Sequence, residues 1–188
     1  MSVTWRLLPA DPRGAQRLAA AAGIHPVTAQ LLLNRRLADD RTASRFLAPS
    51  LEALEDPGAI HGMEQAVAVW RKAASAGSRI AIFGDSDVDG LTASVILYEA
   101  LRSLGARIEA HVSNRITDGY GIPIALVERL RRAGVKLLVL VDCGTNQAEE
   151  IARAAGTGMG VVIVDHHAPL QPASQARARL AGVTIVNP

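Results

Sequence analysis

The chain has 188 residues, of which 49% are hydrophobic and 20% charged, with a formal net charge of +2. That is enough chain to bury the core of one domain plus a helical extension, and the composition excludes intrinsic disorder. The single cysteine, Cys143, excludes an internal disulfide and a structural zinc site built from several thiolates; no apolar run approaches the ~20 residues of a membrane span, and the start lacks a signal-peptide pattern, so a cytoplasmic protein is expected.

Up to about residue 77 the pattern is helical. Helices are expected over Gly14 to Ala22, Pro26 to Arg35 with proline near the first turn, Asp40 to Leu47 stopping before Pro49, and Met63 to Ala76 closed by Gly77. The rhythm then changes to short β-rich apolar runs, Arg79 to Phe83, Arg107 to Val112, Lys136 to Val141, Gly160 to Val164 and Val183 to Val186. Between them lie helical stretches near Leu91 to Leu104, Pro123 to Ala133, Gln147 to Ala155 and Ala173 to Leu180. Strand-helix alternation at this spacing makes βαβ crossovers, so an α/β fold is expected: a parallel five-stranded sheet with helices on both faces over 78–188, preceded by an N-terminal helical extension over 1–77. A flavodoxin-like strand order, 2-1-3-4-5, is the working guess.

The polar residues fall at the carboxyl ends of these strands, the edge where open α/β sheets bind ligands. Asp85, Asp87 and Asp89 follow the first strand, Asn114 and Arg115 the second, Asp142 the third, and Asp165, His166 and His167 the fourth. Crowded carboxylates resist ionisation unless a cation compensates them. Asp87, Asp89 and Asp142 offer hard oxygen ligands and His166 an imidazole nitrogen, a set that suits Mn2+ or Mg2+, with enough carboxylates for two ions. Two ions about 3.5–4 Å apart activate water and polarise a phosphoryl group, so phosphodiester hydrolysis is the expected chemistry. On this reading Arg115 clamps a phosphate oxygen, Asn114 contacts the substrate or caps its loop, and His167 faces the scissile phosphate.

Other readings of the same residues weaken on inspection. The run Asp85-Ser-Asp87-Val-Asp89-Gly90 begins like an EF-hand loop, but Ile96 stands where the bidentate Glu belongs and a strand precedes it. Asp85-Ser-Asp87 also resembles the opening of a haloacid-dehalogenase-type phosphatase, with Asp85 as covalent nucleophile, the better rival on this segment alone. Asp165-His166-His167 taken alone reads equally as a polar turn before Pro169. Cys143 has no general base beside it and reads as a small strand-end residue. Gly156-Thr-Gly158-Met-Gly160 follows a helix and precedes a strand, the reverse of a phosphate loop, and reads as a helix stop. His25, His61 and His111 are assigned no role.

Phe83-Gly-Asp85-Ser-Asp87-Val-Asp89-Gly90, Asn114-Arg115 followed by Asp118-Gly-Tyr120-Gly, Val141-Asp142-Cys-Gly144 and Val164-Asp165-His166-His167 together resemble the ordered motif set of DHH phosphoesterases. Leu31-Leu-Leu-Asn34-Arg35, the stretch from Ala43 to Glu52 and the closing Ile185-Val-Asn187-Pro188 are similar to RecJ single-stranded-DNA exonucleases within that superfamily. The resemblance implies manganese or magnesium held by Asp87, Asp89, Asp142 and His166, phosphate contacts from His167 and Arg115, and a supporting role for Asp85. It also implies removal of nucleotides from the 5′ end of single-stranded DNA in repair and recombination, with single-strand-binding protein or a helicase as partners. Ser86 departs from the Tyr common in the first motif. RecJ-like proteins continue into a further metal-binding Asp, a DHHA1-type domain that closes the cleft, and often an OB-fold. With only two Trp, two Tyr and two Phe, these residues alone are expected to bind metal weakly and to show poor or no exonuclease activity. The competing functions are a DHH phosphoesterase acting on short oligonucleotides, cyclic dinucleotides or pyrophosphate, and a non-catalytic binding module.

Overall fold

The computed structural model describes residues 4–117, 119–170 and 182–188. It divides into two compact units, Met1–Glu55 and Asp56–Pro188. The first holds α1 (Pro12–Ala22), α2 (Pro26–Asn34) and α3 (Asp40–Leu47). Asp11 and Asp39 cap α1 and α3 by accepting from the backbone N–H of Gly14 and Thr42, and Gly23 ends α1 in the left-handed conformation (φ 66°). The core of this unit is small: Ala15, Leu18, Ala19, Ala29, Leu32 and Ala43.

The second unit runs α4 (Met63–Ser75), β1 (Arg79–Gly84), α5 (Val88–Ser103), β2 (Arg107–Val112), α6 (Ile124–Arg132), β3 (Leu137–Val141), α7 (Ala148–Gly156), β4 (Gly160–Val164) and β5 (Thr184–Val186). All five strands pair in parallel in the order β2-β1-β3-β4-β5. The expected sheet, its strand order and its covering helices on both faces are therefore present. The helix expected near Ala173 to Leu180 lies outside the described residues.

Side-chain alternation along the strands splits the core into two layers. Ala81, Phe83, Leu138, Leu140, Val161 and Ile163 face Val127 and Leu130 of α6 and Ile151 and Ala154 of α7. Ile80, Ile82, Val139, Val141 and Val162 face Leu101 of α5 and Ala66 of α4. β3 is buried along its whole length, as a central strand covered on both faces should be. The change of rhythm at residue 77 groups α4 with the helical extension, whereas α4 belongs to the sheet unit. Ala66 is fully buried in the sheet core, and a Cβ on Gly62, at the start of α4, would lie 2.0 Å from the Ile185 carbonyl of β5. Helical periodicity could not reveal that contact, because its partner lies more than a hundred residues along the chain.

Candidate metal centre

β1 and β3 lie side by side at the point where the strand order reverses. Loops after them, and after the flanking β2 and β4, therefore open onto one rim. The β1 loop enters α5 almost at once: Asp87 is the N-cap, its Oδ1 accepting from the Gly90 N–H at 3.2 Å, and Asp89 sits exposed in the first turn. Carboxylates at a helix N-terminus are electrostatically favoured. Gly90 is obligatory there, because a Cβ would lie 2.4 Å from the carbonyl oxygen of Asp85.

Asp85 is buried beneath this turn, 0% exposed. Its Oδ1 accepts from the Ser86 N–H (2.7 Å), the Ser113 hydroxyl (2.9 Å) and Nε of Arg115 (3.3 Å), and its Oδ2 pairs with Nη2 of Arg115. Burial opposes ionisation of this carboxyl, but Arg115, Ser86 and Ser113 more than offset it and hold its pKa down at about 2. With its oxygens engaged and no surface, Asp85 cannot serve as a covalent nucleophile, so the haloacid-dehalogenase reading falls. Arg115 stays half-exposed and also reaches Asp87 Oδ2 at 3.2 Å. Asn114 accepts from the Ile116 N–H at 3.1 Å, a local Asx turn.

Asp142 stands at the end of β3 with φ 58°, in the left-handed region that side chains larger than glycine seldom adopt. It is 6% exposed; Oδ1 lies 3.0 Å from Nε2 of His166, while Oδ2 is buried without a hydrogen-bond partner. Burial first, then the neighbouring Asp87 and Asp89 carboxylates, push its pKa up. A buried carboxylate with an orphan oxygen, facing other carboxylates, is the arrangement a cation would relieve. His166 Nε2 also lies 3.7 Å from Asp89 Oδ2. Ligand atoms of Asp142, His166 and His167, and separately of Asp85, Asp87 and Asp142, lie within 4.8 Å of one another. The donor set of carboxylate oxygens and imidazole fits a hard divalent ion.

Asp165 closes the other side, almost without surface. Its Oδ1 accepts from the N–H of His166 (2.8 Å) and of His167 (3.1 Å) and bonds His167 Nδ1 (2.8 Å); its Oδ2 accepts from the Thr145 N–H (3.0 Å). The bond to Asp165 pushes the His167 pKa up, against a smaller effect of burial. The His167 ring meets the half-exposed Tyr120 ring edge-on, centroids 5.9 Å apart.

Four supporting residues escape a reading based on charge alone. Ser113 holds Asp85; Thr145 holds Asp165 through its N–H; Asn187 Nδ2 donates to both Thr145 Oγ1 (3.0 Å) and the His167 carbonyl (3.1 Å). Gln147 bonds the Ile122 N–H at 3.1 Å, and its amide fills the space a Cβ on Gly121 would need. Their one signal in the sequence is position, since each follows a strand end or closes the last strand. Cys143 is buried, its thiol pushed up by that burial, consistent with a packing residue. Gly156 ends α7 and Gly158 turns the chain with φ 80°, so the glycine run is a helix stop. His111 lies 3.5 Å from Glu109, two residues away on the same face of β2 and apart from the rim.

Comparison with known proteins gives a consistent picture. The DHH family, N-terminal domain, matches residues 79–184. The single-stranded-DNA-specific exonuclease RecJ of Dickeya dadantii is 38% identical over 149 residues, covering 77% of this chain and 26% of that protein. RecJ of Bacillus subtilis is 29% identical over 165 residues, covering 88% of this chain and 21% of that protein. The crystal structure of RecJ from Thermus thermophilus in complex with Mn2+ superposes with a TM-score of 0.62 at 26% identity, over 98% of this chain and 24% of that one. The chain thus spans about a quarter of the length of these relatives.

Proposed function

The chain belongs to the DHH family through its N-terminal domain, and from that premise we propose that it carries the metal centre of a RecJ-like phosphodiesterase that removes nucleotides from the 5′ end of single-stranded DNA. The observation that carries this reading is Asp142, buried and with an unpartnered oxygen, facing Asp87, Asp89 and His166 across the rim. In this proposal Asp87, Asp89, Asp142 and His166 hold Mn2+ or Mg2+, most simply as a pair of ions. RecJ from Thermus thermophilus, a protein of the same fold with manganese in its structure, supports that choice. Removal of 5′ nucleotides from single strands is an activity that serves DNA repair and recombination.

The chemistry that divalent ions supply at such a site is polarisation of the phosphoryl group and a lowered pKa for a bound water. Around it the chain's own groups have separate tasks. Asp85 fixes Arg115 at the rim, so that the half-exposed guanidinium meets a phosphate oxygen without first being ordered. Asp165 sets the ring of His167 through Nδ1 and favours its protonated form, which makes His167 a charge-stabilising group or proton donor for the departing oxygen. Asn114 is left to shape the loop that presents Arg115.

The test is hydrolysis of 5′-labelled single-stranded DNA, duplex DNA, a dinucleotide and pyrophosphate, each with manganese and with a chelator, by a chain extended to the full length of the RecJ relatives, since these 188 residues alone are expected to show poor or no activity. Metal-dependent release of mononucleotides from single strands in preference to duplex is the expected result. Preference for the dinucleotide or pyrophosphate would assign the site to small substrates, and no metal-dependent hydrolysis of any of the four would refute the enzymatic reading.

A further inference from the structure

β2 is an edge strand, and α6 covers only part of the face it shares with β1. Beside it lies a cleft of about 400 Å³ with an apolar floor that includes Val112, Pro123 and Leu126 and basic walls from His111, Arg129 and Arg132. α6 starts just after the rim loop and runs down to the start of β1, where Nη1 of Arg79 donates to the Ala133 carbonyl at 2.6 Å. The cleft therefore leads away from the metal centre along the flank of the sheet.

Charge is distributed unevenly here. Glu128 takes both Arg131 and Arg153 at 3.1 Å, and Glu109 takes Arg79 and His111 at 3.5 Å. Arg129 and Arg132 are exposed, and among the described residues neither has a carboxylate partner. They sit at i and i+3 on α6, so their stems rise from one helix face about 5–6 Å apart. Two unpaired guanidinium forks at that separation, over a half-apolar floor, match successive phosphates of an extended strand whose sugars and bases lie against the floor. Glu109 and Glu128, on the same flank, are each engaged by arginine and so offer a passing phosphodiester little repulsion.

We propose that the β2–α6 cleft is a track for the phosphodiester backbone of single-stranded nucleic acid, leading it to the rim. This rests on the nuclease reading and deepens it, by naming where the strand beyond the reacting phosphate lies. Basic side chains in the last turn of α6 also suit the helix dipole, but Arg131 serves that end as well as Arg129 and Arg132 do.

The experiment measures binding, with chelator present so that no cleavage intervenes. A fluorescein-labelled oligothymidylate of about 20 nucleotides, longer than a single-strand site of ~4–16 nucleotides, is titrated with the 188-residue chain and followed by anisotropy. R129E/R132E is expected to weaken binding at least about tenfold and to flatten the slope of log K against log salt by about 1.4, two phosphates at ~0.7 each. R129Q/R132Q, which places no negative charge at the helix end, is expected to give a smaller loss in the same direction. R71E/R102E makes the same charge change on α4 and α5, across the sheet, and is expected to leave the slope near that of the unaltered chain. Equal losses in the two reversed pairs, an unchanged affinity in R129E/R132E, or no binding by the unaltered chain would each overturn the track. Failure of the nuclease reading shows separately, as absence of manganese-dependent hydrolysis of any substrate by the chain extended to the length of its RecJ relatives.

Discussion

The loops after β1 and β4 carry runs that look alike, an aspartate followed within a few residues by further ligand-type side chains, and in both the first aspartate is buried while the later groups face out. Asp85 and Asp165 are pivots whose oxygens are consumed by the protein; Asp87, Asp89, His166 and His167 are left toward the rim. The pivots differ in what holds them. Asp85 is held by one backbone N–H, the Ser113 hydroxyl and a half-exposed cation from the neighbouring β2 loop, whereas Asp165 is held by three backbone N–H groups and one imidazole. Removing Asp85 strands the Ser113 hydroxyl but frees its strongest partner, a guanidinium that water can solvate, whereas removing Asp165 strands three backbone donors that cannot leave. Residue type announces a rim of ligands; burial decides which members form the frame.

The sharpest way to break this comparison is to delete each pivot. Asp165→Ala should cost about 3–5 kcal/mol, from several charge-assisted bonds lost at once, and Asp85→Ala about 2–3 kcal/mol, both read by urea unfolding without metal. Equal costs would mean that backbone and side-chain donors hold the pivots alike.

A change at Asp142, the buried carboxylate at the end of β3, should act with the opposite sign on stability. Asp142→Asn tolerates φ 58° and removes the buried orphan charge, so the metal-free protein should gain about 0.5–1 kcal/mol while Mn2+ affinity falls at least about 100-fold by calorimetry. Loss of stability with affinity intact would show Asp142 to be structural.

Asn187→Ala, which releases Thr145 and the His167 carbonyl, should cost about 1 kcal/mol and weaken Mn2+ binding about tenfold. The same groups leave a signature in the pH dependence of stability. Asp85, with its pKa lowered from 3.8 to about 2, gives stability that is present above the unfolded value and lost as pH falls from about 4 toward 2. Asp142, with its pKa raised, works the other way, so the advantage of Asp142→Asn should shrink as pH falls from neutral toward 4. A pH-independent difference would remove the electrostatic explanation.

Much of this was legible beforehand, for identifiable reasons. The sheet, its order and the rim of acidic and imidazole side chains follow from apolar runs of strand length alternating with helices and from polar residues at each strand end. The position of α4 was not legible, since only the approach of Gly62 to Ile185 ties it to the sheet. The engagement of Arg115 by Asp85, and the supporting roles of Ser113, Thr145, Gln147 and Asn187, were equally hidden. They depend on which loops adjoin at the rim, and neutral side chains carry no charge pattern to mark them.

The central claim, that Asp87, Asp89, Asp142 and His166 form one metal centre, is tested most directly by anomalous difference density from crystals soaked in manganese. The account predicts density at the β1–β3 switch point, within coordination distance of those four side chains. Density elsewhere, or none at that rim under saturating manganese, would contradict it.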